Sequence, residues 1–246
     1  MKKINYCNIY TNALICGIDV AEQNTDIMKK KSKVFIVDDH PIVRQGLIQL
    51  INQESDFVIC GDVGDIPSAM RDIEKNRPDV VIIDIALGQS NGIRLIEDIA
   101  RQFPEILMIA LSMHDESVYG ERCLKAGARG YLMKQEEPQN VITALKKVTS
   151  GEVYISENLR DMFLNKFINK KNQSPNTSIS SLSNRELEVF QLFGQGLKTQ
   201  QIANELNLSV KTIETHVEHI KRKMNFNNLH ELTTHAIRWA VSQNIM

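Results

Sequence analysis

The chain has 246 residues and a formal net charge of −1, with 29 basic side chains against 30 acidic ones. That length exceeds most single cores and calls for two domains, and the near-neutral balance excludes a chain marked for nucleic acid or a membrane surface by its overall charge. The four cysteines (Cys7, Cys16, Cys60, Cys123) show no CxxC pair or metal-ligand spacing, which fits free thiols in a reducing cytosol, and the lack of an 18-residue apolar run predicts no membrane-spanning helix.

Residues 1–32 read as a disordered N-terminal extension. Lys2 and Lys3 precede a mildly apolar stretch that Asn5, Asn8 and Asn12 interrupt, a poor match to a secretory signal. Ala13-Leu14-Ile15-Cys16 has the outline of a lipoprotein box, but Ile15 is too large for the position before the cysteine. Met28, followed by three lysines and the first strand, reads as an alternative start.

From residue 33 the pattern alternates. Strands are expected at Val34 to Val37, Phe57 to Cys60, Val80 to Ile83, Ile106 to Leu111 and Gly130 to Met133. Helices are expected at Pro41 to Asn52, Ile66 to Asn76, Gly92 to Gln102, Ser117 to Ala126 and Pro138 to Thr149, the last with proline in its first turn. Five βα units predict an α/β doubly wound, five-stranded parallel sheet over about 33–151. The apolar run Val80 to Ile83 reads as its central strand, buried on both faces.

The ends of the strands carry the chemistry. Strand one ends in Asp38-Asp39, strand three in Asp84, strand four in Ser112 and strand five in Lys134. Right-handed crossovers bring these ends to one crevice at the switch point of the sheet. Two like charges about 4 Å apart repel by about 4 kcal/mol at an effective dielectric near 20, so three carboxylates there call for a cation. An all-oxygen ligand set with room for water suits Mg²⁺. Metal and Lys134 would neutralise an incoming phosphoryl group, Asp84 would be the nucleophile, and Ser112 would donate to a phosphoryl oxygen.

VFIVDDHPIVRQGL, VVIIDIALGQSNGIRLIEDI, IALSMHDE and KAGARGYLMK resemble the receiver domain of two-component response regulators, a flavodoxin-like fold. The resemblance implies that Asp84 accepts a phosphoryl group from a sensor histidine kinase or a small phosphodonor. It implies that Asp39, Asp84 and the Ala86 carbonyl bind Mg²⁺ directly and Asp38 through water, and that Ser112 and Tyr131 form a switch pair in which the hydroxyl moves toward the phosphoryl group and the ring turns inward. Leu87-Gly88-Gln89-Ser90-Asn91-Gly92 departs from relatives that carry proline there, and its two glycines suggest a more mobile loop.

Residues 152–181 read as a linker. Glu157 to Ile168 predicts a helix with Leu159, Met162, Phe163 and Phe167 on one face, and 169–178 a polar tether. The remainder, 182–246, is a small all-α domain. Ser183 and Glu186 form a capping box, Thr199 and Ser209 are expected caps, Asn228 opens the last helix, and the turn at Asn207-Leu208 marks a helix-turn-helix. On the helix at about 210–224, Ile213, Val217, Ile220 and Met224 form the buried stripe. Lys211, Thr212, Thr215, Glu218, His219 and Arg222, with Lys221 and Lys223, form a face that fits a DNA major groove. Glu214 and Glu218 are unexpected beside phosphates; Glu218 either accepts from cytosine or pairs with Arg222 at i+4.

SNRELEVFQLFGQGLKTQQIANELNLSVKTIETHVEHIKRKM resembles the LuxR-type helix-turn-helix, so the whole chain resembles the NarL/FixJ regulators. That implies a cytoplasmic, phosphorylation-controlled transcription regulator, not an enzyme, which binds double-stranded promoter DNA as a homodimer, with RNA polymerase as a further partner and no membrane. Leu232, Ala236 and Trp239 on the last helix would pair two subunits. Two rivals stay open: a Mg²⁺-dependent aspartyl-phosphate phosphatase, against which the separation of Asp84 from the first strand counts, and a protein-binding regulator without DNA binding.

Overall fold

The β-branched run after Pro78 forms the middle of a parallel sheet. In this computed structural model, which describes residues 30–87, 90–168 and 179–242, strands β1 (Ser32–Val37), β2 (Phe57–Val63), β3 (Val80–Asp84), β4 (Leu107–Ser112) and β5 (Gly130–Met133) stand in the order β2-β1-β3-β4-β5. Residues 1–29 (which include the alternative start at Met28), the 169–178 tether and Gly88-Gln89 lie outside the described residues. Helices α1 (Pro41–Asn52), α2 (Ile66–Asn76), α3 (Gly92–Gln102), α4 (Glu116–Ala126) and α5 (Pro138–Thr149) alternate with the strands.

The two-residue period of the strands divides the core into two layers. Val34, Ile36, Val80, Ile82 and Ile109 pack with Leu47, Ile51, Val141, Leu145 and Val148 of α1 and α5. Phe35, Val37, Val81, Ile83 and Ala110 pack with Ile73, Ile96, Ile99 and Cys123 of α2, α3 and α4. Every residue of β3 is buried, Asp84 included. The register aligns Val37 with Ile83, Asp84 with Leu111, and Ser112 with Met133. Asp38, Asp84, Ser112 and Lys134 therefore leave the sheet at one level.

Element boundaries depart from expectation at a few places. β2 runs on to Val63 because its pairing with β1 resumes past a register shift, Ile36 with Asp62 and Val37 with Val63, and Gly61 lies against the Phe35 ring, where a Cβ would come within 2.6 Å. The loop after Asp84 is braced by antiparallel pairing of Ala86-Leu87 with Ser90-Asn91, and the Asn91 side chain caps α3 by accepting from the Ile93 N–H at 2.9 Å. Gly92 serves that bracing rather than mobility: a Cβ there would lie 2.2 Å from the Asp84 carbonyl.

Helix α6 (Glu157–Ile168) packs on α4 through buried Leu159, which fills the space beside Gly120; Met162 and Phe163 are half-buried, and Phe167, expected on that face, is mostly exposed. The C-terminal helices are α7 (Asn184–Gly194), α8 (Thr199–Glu205), α9 (Val210–Met224) and α10 (Leu229–Ser242). Both halves of the Ser183–Glu186 capping box form, and Ser209 caps α9. Lys198, not Thr199, occupies the cap position of α8, with its N–H bonded to the Gln201 side chain at 2.8 Å. Asn207 turns the chain between α8 and α9 at φ +51°. Phe190, Ile202, Ile213, Val217, Ile220, Leu232, Ala236 and Trp239 make this part's core. Among the described residues no helix is long and apolar enough to cross a membrane.

Two glycine substitutions separate close approach from mere flexibility. Gly92→Ala is expected to lower the unfolding midpoint through displacement of the Asp84 loop. Gly46→Ala, in open space within α1, is expected to stabilise by about 0.5–1 kcal/mol. Thermal unfolding of both variants checks the contrast.

Candidate functional site

The strand ends meet as the register requires. Asp38 and Asp84 are almost fully buried, and the Lys134 ammonium lies 2.7 Å from an oxygen of each. Oδ1 of Asp84 accepts from the Ala86 N–H at 3.0 Å, and Oδ1 of Asp38 accepts from the His40 N–H at 2.8 Å. Burial raises the Asp84 pKa; the hydrogen bonds from Lys134 and the Ala86 N–H oppose it. For Lys134, burial works against the ammonium, but Asp38 and Asp84 outweigh it and hold its pKa above the ordinary value. Asp38, Asp39, His40 and Asp84 each offer a ligand atom, all within 4.8 Å of one another. Three carboxylates around a buried point, one of them on a loop open to solvent, are a donor set for a hard divalent cation.

Beside the acids, Ser112 is wholly buried; its Oγ accepts from the His114 N–H at 2.8 Å and its carbonyl from the Lys134 N–H at 2.7 Å. Tyr131 is turned inward and donates its hydroxyl to the His114 carbonyl at 2.9 Å. The His114 ring stacks on Tyr119 of α4 at 4.9 Å between centroids. Burial, then the charge of Lys134, lowers the His114 pKa, so the imidazole is neutral near pH 7. The Tyr119 hydroxyl accepts from the Gln191 side chain of α7. Four more bonds join the α/β part to α7 and the turn before it. Asn91 donates to Glu188 at 2.6 Å, Asn184 to Glu97 at 3.1 Å, and Arg122 to Asn184 at 3.0 Å and to the Ile179 carbonyl at 3.0 Å.

On α9, Lys211, Glu214, Thr215, Glu218 and Arg222 are exposed, while Thr212, His219, Lys221 and Lys223 are half-buried. Glu218 pairs with Lys221 at 2.7 Å, one residue short of the expected Arg222, and Lys223 pairs with the buried Glu186 at 2.6 Å. Leu232, Ala236 and Trp239 do not face outward on α10. They fill the core against α7, where Phe190 meets the indole at 5.7 Å, so they offer no surface to a second subunit. The apolar side chains on the outside of α10 are Leu229, Ile237 and Val241.

Residues 34–146 match the family model for the response regulator receiver domain, and residues 180–236 that for the luxR family of bacterial regulatory proteins. The oxygen regulatory protein NreC of Staphylococcus epidermidis is 35% identical over 213 residues, spanning 84% of this chain and 97% of NreC. The chain belongs to the NarL-type response regulators. It is a phosphorylation-regulated, DNA-binding transcription regulator rather than an enzyme, and its receiver implies a histidine kinase partner. The transcriptional regulatory protein DegU of Brevibacillus brevis is 29% identical, over 87% of this chain and 97% of DegU. Among solved structures, RcsB from Salmonella enterica serovar Typhimurium bound to promoter rprA with the phosphomimetic BeF3− is similar at TM-score 0.64 and 26% identity, over 83% of this chain and 98% of that one. A structure of two RcsB dimers on two parallel DNAs is similar at TM-score 0.52 and 28% identity, over 83% of this chain and 97% of that one.

Several residues of this regulator were not singled out from sequence. His40 joins the acid cluster, with Nδ1 2.7 Å from Asp39, and its place directly after Asp38-Asp39 was the available signal. Arg44 binds the Asp38 carbonyl and Asp62. His114, Tyr119 and Gln191 gave no signal, because a contact between distant segments has no local pattern.

Glu186 yields a pH prediction. Burial raises its pKa, but Lys223 and the Ser183 groups outweigh that and the net shift is downward. A depressed carboxylate stabilises above its unfolded pKa, near 4.5, and the stabilisation disappears as pH falls through the lower folded value. Glu186→Gln is expected to cost about 1–2 kcal/mol at pH 7. Urea midpoints of variant and wild type should converge as pH falls below 4.5.

Proposed function

We propose that Asp84 is the phosphoacceptor and that Asp38, Asp39, Asp84 and the Ala86 carbonyl hold Mg²⁺ beside it. The observation that carries this reading is Lys134, whose single ammonium touches both buried carboxylates at 2.7 Å. An Asp84 oxygen attacks phosphorus, the bond from phosphorus to the kinase histidine or small donor breaks, and an acyl phosphate remains on the aspartate. Mg²⁺ would supply charge neutralisation for the carboxylates and the incoming oxygens. Lys134 then shifts from Asp84 toward a phosphoryl oxygen while keeping Asp38, and Ser112 redirects its hydroxyl to another.

That redirection reaches the DNA-binding part. Ser112 Oγ holds the His114 N–H, and His114 in turn holds Tyr131 through its carbonyl and Tyr119 through its ring. A shift of His114 loosens Tyr119 from Gln191 and frees α7, so that two chains pair and place their α9 helices in successive major grooves of promoter DNA in the cytoplasm, where they act on RNA polymerase. Lys211, Thr212, Thr215, Glu218, His219, Lys221, Arg222 and Lys223 form the DNA-facing side. Pairing uses the outer side of α10, Leu229, Ile237 and Val241, in place of its core residues.

With acetyl phosphate and magnesium the protein is expected to take up a label, released by alkali or hydroxylamine, that Asp84→Asn lacks; equal labelling of the two proteins would reject the assignment. Gln191→Ala, which removes the bond to Tyr119, is expected to raise promoter affinity without a phosphodonor severalfold, measured by fluorescence anisotropy. An unchanged affinity would show that this contact does not restrain the domain.

A further inference from the structure

We propose that Lys211 and Glu214 together read one C·G base pair of the DNA site, Glu214 accepting from the cytosine 4-amino group and Lys211 donating to the guanine. This rests on the DNA-binding reading above and adds its base specificity.

The argument begins with which polar groups on α9 are already engaged. The Thr212 hydroxyl lies 2.8 Å from that of Ser209, and the Thr215 hydroxyl donates to the Lys211 carbonyl at 3.0 Å. Glu218 holds Lys221, Lys223 holds Glu186, and His219 lies 3.7 Å from the same Glu186. Three exposed heads make no side-chain hydrogen bond or ion pair to any described residue: Lys211, Glu214 and Arg222. Arg222 stands eight residues past Glu214, about 12 Å along the axis. Base contacts come from the N-terminal part of a recognition helix, so Arg222 suits a phosphate. Lys211 and Glu214 sit in the first turns of α9, three residues apart and so on one face.

Chemistry selects the base pair. A carboxylate can only accept hydrogen bonds. The major groove offers it two donors, cytosine N4 and adenine N6. Adenine N6 adjoins the N7 lone pair, which repels the carboxylate, whereas cytosine N4 adjoins only the C5 hydrogen. The guanine partner presents O6 and N7, both acceptors, to the lysine ammonium. Without such a donor, Glu214 would bring a bare negative charge into a groove walled by phosphates, and every sequence would be bound more weakly.

The test uses the full chain with acetyl phosphate at fixed salt. Selection from random duplexes should return C·G at one position in each half-site. Replacing that cytosine by a pyrimidinone lacking the 4-amino group should weaken wild-type binding about tenfold or more and leave Glu214→Ala, which has no side-chain acceptor, unaffected. Lys211→Ala should lose the guanine preference at the same pair. Identical selected sequences for wild type and Glu214→Ala, with all affinities raised equally in the variant, would overturn the proposal while leaving DNA binding intact. Wild-type protein that binds no duplex even at low salt would overturn both readings.

Discussion

One ammonium holds the functional edge of the sheet together. Asp38 and Asp84 are buried at neighbouring strand ends, and two such charges about 4 Å apart would repel by about 4 kcal/mol at an effective dielectric near 20. Lys134 touches both at 2.7 Å. Its backbone N–H is bonded to the Ser112 carbonyl. The residue that balances the pocket's charge therefore also ties β5 to β4, and any added negative group competes for Lys134 next to that joint. A change in pocket charge and a change in strand-end geometry are physically the same event.

His114 determines where such an event goes. Its N–H, carbonyl and ring engage Ser112, Tyr131 and Tyr119 respectively. Packed interiors switch between discrete arrangements rather than deform smoothly, so three partners on one residue move together. The far side of Tyr119 meets Gln191 in a contact zone of different character. The bonds of Asn91, Asn184 and Arg122 across it are polar, each with one charged partner and worth about 1.5–3 kcal/mol net, because water replaces most of what is lost. A rigid apolar input joined to a polar, cheaply broken output suits a docking that must be reversible.

The α/β fold was legible in sequence because each strand is a short, largely apolar run, β-branched in β1 and β3, and each helix carries its own cap or proline. Asp38, Asp84, Ser112 and Lys134 were legible because strand ends in a parallel sheet share one edge. The α10 residues were misjudged for a physical reason. Leu232, Ala236 and Trp239 are its strongest apolar stripe, and the strongest stripe goes to the helix's own core, with Gly194 of α7 packed so close that a Cβ would reach the Ala236 carbonyl at 2.7 Å. The face left for a partner is weaker and cannot be told from ordinary surface by pattern alone. At Gly92 the structure gives a further reason for a glycine, close approach to the Asp84 carbonyl.

The docking engages α7 and leaves the outward side of α9 open, Lys211, Glu214 and Arg222 included. With that side exposed, the proposed regulation would act through the orientation of α9 rather than by covering it. A helix-turn-helix held against its own receiver still meets a single half-site, but a single half-site offers few contacts, and binding becomes tight only when two helices sit about one DNA turn apart on a two-fold axis. Linking the two raises affinity by an effective concentration that vanishes if geometry forbids both from engaging. Bonds that fix α7 to α3 and α4 fix the direction of α9 as well, so under the proposed reading loosening those polar contacts would convert a half-site binder into an operator binder.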